Sequence, residues 1–148
     1  MNDNKVFWVF DWPVKEPHPL HTKLNQFLNN RVILKGCKQI IPNSTVKKIR
    51  FMIHYSGFCS RLISISNGSD VIVHRLDLLA IINWWISYLS FRPRKIVCCN
   101  IMLKKSSGIK WKLLRYLYRK PILDNNFVAM VTSLGHRDRY VDSSPIHQ

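Results

Sequence analysis

The residues with chemistry to offer gather where short apolar runs stop. Asp11 and Trp12 follow the run KVFWVF, His74 closes DVIVH with Arg75 behind it, and Ser133 and His136 lie at the end of FVAMVTS and just past it. If each run is a strand of a parallel sheet, these residues stand beyond the carboxyl ends of the strands, where open α/β sheets bind their ligands. The same rule points to Asn100–Lys104, to Asp77 and to Arg137. His74 is a candidate base or hydroxyl ligand there. A lone histidine at a strand end also serves as a structural residue, and Asp77 serves equally well near the start of the helix that follows.

Other chemistries are excluded by residue type and spacing. The five glycines, Gly36, Gly57, Gly68, Gly108 and Gly135, are dispersed, so neither a Walker loop nor a GxGxxG turn is present to cradle a phosphate. HExxH and GxSxG are missing, and no Cys/His cluster has ligand spacing, so neither a metal nor a cofactor is expected. Glu16 is the one glutamate and lies in a proline-rich loop. A two-carboxylate acid/base pair would need Asp11, Asp70 or Asp77, and nothing local pairs them. Cys37, Cys59, Cys98 and Cys99 form no CxxC motif, and Cys98 and Cys99 alternate across a predicted strand, so buried free thiols are expected.

Charge is the strongest compositional signal. The 148 residues carry 23 Lys plus Arg against 8 Asp plus Glu, a net charge of +15. That excess calls for a polyanionic neighbour: nucleic acid, an anionic membrane surface or a phosphorylated substrate. Lys104, Lys105, Lys110, Lys112, Arg115, Arg119 and Lys120 surround Trp111, Tyr116 and Tyr118. On a helix, positions 112, 115 and 119 form a stripe beside apolar 109, 113, 116 and 117. Such a pattern suits an amphipathic helix on anionic lipid, a nucleic-acid backbone, or the solvated outer helix of an α/β fold. Arg92, Arg94 and Lys95 form a second basic cluster, and Lys47, Lys48 and Arg50 a third. The longest uncharged run, Leu78–Phe91, is short of the ~20 residues that span a bilayer, and no signal peptide is visible.

The elements that must position these residues alternate. Strands are predicted over 5–10, 31–35, 70–74, 95–103 and 127–133. Helices are predicted over 20–30, 46–67, 76–90 and 108–120, the last ended by Pro121, with another beginning at 134–140. Ser44 or Thr45 can cap the 46–67 helix and Asn67-Gly68 can stop it, although Gly57 weakens its middle. Near-continuous apolar strands such as VIV, KIVCC and FVAMV indicate burial on both faces. The fold class is α/β: one Rossmann-like parallel sheet with helices on both faces.

The order of pieces over about 70–142 resembles the N-terminal half of bacterial GT-B glycosyltransferases of the retaining, family-four-like kind. The resemblance lies in DVIVHRLDLLAIINWWISYLS, in the basic helix with Leu114, Arg115, Leu117, Tyr118 and Arg119, and in Ser133, Arg137 and Tyr140 after the last strand. It implies that residues 1–148 are one acceptor-side domain without the donor domain. The expected partner is a sugar acceptor, lipid-linked or polysaccharide, with nucleotide sugar bound only where the donor domain is supplied. It further implies a cytoplasmic location, peripheral on the inner face of the membrane, and acceptor contacts at Asp11, Trp12, His74, Arg75, Ser133 and His136. VFDWPVKEPHP stands where many members place a Gly-Gly loop, so no catalytic residue is carried over. Two other functions stay open: a basic nucleic-acid-binding α/β module, disfavoured because the aromatics lie in apolar helix faces, and a non-catalytic peripheral membrane adaptor.

Overall fold

The computed structural model describes residues 4–15, 19–28, 31–38, 44–101 and 108–130. Five strands and four helices alternate along them: β1 (Val6–Phe10), α1 (Pro19–Phe27), β2 (Val32–Gly36), α2 (Thr45–Ile65), β3 (Val71–His74), α3 (Asp77–Leu89), β4 (Lys95–Cys98), α4 (Ile109–Ile122) and β5 (Phe127–Ala129). The strands form one parallel sheet in the order β2-β1-β3-β4-β5. The chain thus winds one way from β1 to β2 and the other way from β3 onward, and the order reverses between β1 and β3.

Register fixes the two faces. Phe7 pairs with Ile72, Ile72 with Ile96 and Ile96 with Phe127, so these four side chains form one row across the sheet. The row packs against Leu62 of α2, Ala80, Ile81 and Trp84 of α3, and Tyr118 of α4. On the other face Phe10, Val32 and Leu34 pack with Trp8 and with Leu24 of α1. Helices therefore cover both faces, three on one and α1 on the other. Among the described residues β5 is an edge strand, and Val128 on the α1 side is 53% exposed.

Local chemistry explains the helix ends. Ser44 caps α2 by accepting the Lys47 N–H through its side chain, as expected from sequence. Gly57 sits mid-helix with open space where a Cβ would be. At the far end Arg94 donates to the Ile63 carbonyl (3.0 Å), the Ser66 carbonyl (2.8 Å) and Ser66 Oγ (2.9 Å). It satisfies carbonyls that the end of a helix leaves without partners, so Arg94 of the second basic cluster has a structural duty. Asp70 ties the same corner, accepting from the backbone N–H groups of Lys5 (2.8 Å) and Asn67 (2.7 Å).

Two expectations are corrected. Pro121 does not end the last helix: α4 runs to Ile122 with Pro121 buried inside it. A proline there deprives the Leu117 carbonyl of its i+4 donor, and Trp85 Nε1 donates to that carbonyl instead, at 3.0 Å. β4 stops at Cys98 rather than running to 103. Asn100 and Ile101 have left the ladder, although Ile101 still packs into the core. β5 is seen over Phe127–Ala129, and the rest of its predicted span from 131, with the helix expected at 134–140, lies outside the described residues. Cys98 is sealed in the core and Cys99 half-buried; none of the four cysteines is in a disulfide.

Candidate ligand crevice

At a reversal of strand order, the loops leaving neighbouring strands turn to opposite faces and part, opening a crevice at the carboxyl edge of the sheet. Here the reversal falls between β1 and β3. The loop after β1 leads to α1 on one face, and the loop after β3 leads to α3 on the other.

Two of the predicted residues, Trp12 and Arg75, meet at this point. Trp12 folds back onto Phe10, ring centroids 5.1 Å apart and planes tilted 51°. The turn crosses β2 at Gly36, where a Cβ would come within 3.0 Å of the Trp12 carbonyl oxygen and of Val14 N. Glycine is therefore required for the β1 loop to lie where it does. The Arg75 guanidinium stands over the Trp12 indole, 4.7 Å from the ring centroid, a cation–π contact worth roughly 0.5–1 kcal/mol at an exposed site. Asp11 Oδ1 is buried with no hydrogen-bond partner, and so is Asn100 Oδ1, beyond the end of β4. Burial raises the Cys37 thiol and the Tyr55 phenol above their ordinary values, and the Asp11 carboxylate adds to both. The Asp11 charge therefore stands close to that buried pair.

His74 is placed beneath the crevice. As the last residue of β3 it shares the face of Ile72 and is fully buried under α3. The Asn83 amide N–H donates to its Nε2 at 2.8 Å, while His74 Nδ1 and Asn83 Oδ1 find no partner. Burial lowers the imidazole to a pKa of about 3, so His74 is a neutral core residue and does not present its ring to a ligand at this edge. Asp77 accepts the Leu78 N–H at 2.7 Å in the first turn of α3. It also contributes, after burial, to raising Tyr118. Ser133 and His136 lie outside the described residues.

The basic set divides. Lys104 and Lys105 lie outside the described residues, and Lys110 belongs to the first turn of α4. Lys112 and Arg119 are exposed along α4, whereas Arg115 is half-buried and engaged. Tyr118 points into the core. The apolar stripe expected beside these cations faces solvent: Ile109 is 87%, Leu113 61% and Tyr116 68% exposed. The first turns of α2 repeat the combination, with Val46, Ile49 and Ile53 exposed among Lys47, Lys48 and Arg50.

Among the described residues no helix is long and apolar enough to cross a membrane, and no group of three metal-ligating side chains is assembled. Sequence reasoning missed Asn83 and did not pick out Asn100 within the stretch it indicated. Asn83 carries a signal, being the lone amide in the apolar run LLAIINWW. Comparison of the chain with known protein families, with curated proteins and with solved structures finds no match.

Proposed function

We propose that this chain is the acceptor-binding part of a glycosyltransferase-like protein and works against an anionic membrane surface. The observation that carries this reading is the pairing of Arg75 with Trp12 at the carboxyl edge of the sheet, where the strand order reverses. An indole and an exposed guanidinium stand together there, on the loops that leave β1 and β3. A sugar offers the matching groups: hydroxyls to accept from Arg75, and a C–H face to pack on Trp12. The dispersed glycines give no cradle for a nucleotide diphosphate, so the donor sugar is assigned to a separate unit.

The membrane part of the proposal rests on α4. Its exposed Ile109, Leu113 and Tyr116, flanked by Lys112, Arg119 and Lys120, have the composition of a helix lying in an anionic lipid interface. A lipid-linked acceptor would be delivered to the crevice at such a surface. The same stripe also fits an adaptor without a sugar site, and binding at the crevice separates the two.

The test is retention of the chain on immobilised oligosaccharides, with Arg75→Ala and Trp12→Ala as controls. Both variants should lose retention while keeping the wild-type circular dichroism spectrum. Retention unchanged in both, or absent from the wild type across a broad glycan panel, contradicts the sugar reading. Sedimentation with anionic but not neutral vesicles, lost in Leu113→Glu, tests the membrane part separately. A gel shift at about 50 mM salt, where phosphate contacts are strongest, would redirect the charge to nucleic acid.

A further inference from the structure

The amino-terminal edge of the sheet, opposite the crevice, holds a cavity of about 460 Å³ between the end of α3 and the turns that enter β4 and β5. Its wall is Trp84, Tyr88, Leu89, Phe91 and Pro93, with Asp124 beside them. The Trp84 and Tyr88 rings stack, centroids 5.1 Å apart and planes 13° from parallel. Polar groups at the wall are committed to the fold. Asp124 accepts from Trp84 Nε1 (2.9 Å) and from the Asn126 backbone N–H (2.8 Å), and Ser87 Oγ donates to the Arg92 carbonyl (2.6 Å). What remains for a ligand is apolar surface in a volume typical of small-molecule sites.

Phe91 is the second observation. α3 ends in a Schellman turn, with the Phe91 N–H donating to the Tyr88 carbonyl (3.2 Å) and the Arg92 N–H to the Ser87 carbonyl (3.1 Å). This puts residue 91 in the left-handed region, φ 53°, a position that favours glycine and is poor for a bulky side chain. The Phe91 ring is also 91% exposed, so burial returns nothing for the strain. The strain disfavours the folded chain, no burial offsets it, and the turn holds an aromatic side chain at the mouth of the cavity. Strained residues of this kind cluster at functional sites.

Arg94 lines the cavity but is spent on the end of α2, while two further cations stand beside the wall residues. Lys120 Nζ lies 4.0 Å from the Tyr88 ring centroid and donates to Tyr88 Oη at 2.7 Å. Arg92 follows Phe91 with its side chain exposed, and stands close enough to Arg94 that its charge, after burial, lowers that guanidinium's pKa. The one carboxylate of the wall is already held by Trp84 and Asn126.

We propose that this cavity is a binding site for an amphiphile with an acyl-type tail and an anionic head. The tail lies against Trp84 and Tyr88, Phe91 and Leu89 close over it, and the head meets Arg92 and Lys120. The site is at the far edge of the sheet from the sugar crevice and stands or falls independently of it.

The test is titration calorimetry of the full chain with octyl phosphate below its micellar concentration, with octyl glucoside and inorganic phosphate as controls. Octyl phosphate should bind saturably, about tenfold or more tighter than octyl glucoside, and inorganic phosphate should not bind. Phe91→Gly should raise the melting temperature yet weaken octyl phosphate about tenfold, because it relieves the strain and removes the ring. Arg92→Glu should weaken octyl phosphate but not octyl glucoside. Leu89→Glu, at an exposed position, gives a second apolar variant and should weaken both. No saturable binding by the wild type, or unchanged octyl phosphate affinity in Phe91→Gly and Leu89→Glu, overturns the proposal. So does binding to anionic vesicles that depends on Phe91 without any binding of octyl phosphate, which would make this edge a bilayer wedge rather than a cavity site.

Discussion

Replacing His74 by glutamine should remove a specific part of the acid sensitivity of the fold. The ordinary imidazole pKa of 6.5 is the unfolded value, and burial under α3 lowers it to about 3 in the folded chain. Between those values the unfolded state binds the proton and the folded state does not, so stability falls as pH falls through 6.5 toward 3. Each pKa unit is worth about 1.4 kcal/mol, so lowering the pH from 7.5 to 5 should cost about 2 kcal/mol through His74 alone. Against a total stability of about 5–15 kcal/mol this is readily measured. Urea unfolding followed by circular dichroism at the two pH values gives the difference, equivalent to a midpoint shift of about 1 M. In His74→Gln the other titrating groups are unchanged, so the fall should be smaller by about 2 kcal/mol whatever the variant's stability at pH 7.5. Equal falls in wild type and variant would refute the placement of a neutral histidine in the core.

The two glycines with the most contrasted surroundings should respond oppositely. Gly57→Ala, in open space on α2, should stabilise by about 0.5–1 kcal/mol. Gly36→Ala should destabilise and perturb the Trp12 indole fluorescence, since its methyl meets the backbone at Trp12 and Val14; urea titrations of both variants check the signs. Arg94→Met should cost about 2 kcal/mol by releasing the carbonyls of Ile63 and Ser66. Hydrogen exchange should then rise first at the C-terminal turn of α2.

Much of this architecture is legible in the chain because buried parallel strands are short apolar runs and the intervening helices carry caps. Ser44 and the alternation of 71–98 are enough to place α2, β3, α3 and β4. The misreadings have physical causes. Apolar content reports burial rather than ladder pairing, so VCCNIML reads as a longer strand than β4, while Ile101 enters the core from a loop. Pro121 reads as a helix stop because the donor that replaces its missing N–H comes from Trp85, distant in sequence. The burial of His74 was available from strand parity, since residues 72 and 74 share a face. The meeting of Trp12 with Arg75 was not available, because only the order of strands in the sheet makes them neighbours. Phe91 gives no sequence signal of its left-handed turn, where glycine is the usual cue.

The most direct measurement is a ¹H–¹⁵N spectrum of the indole N–H groups during titration with the oligosaccharide that the chain retains. The sugar reading predicts that the Trp12 indole signal moves with saturation while that of Trp84, at the opposite edge of the sheet, stays fixed, and that Arg75→Ala abolishes the shift. A titration in which Trp12 does not move, or in which Arg75→Ala leaves the shift intact, would contradict it.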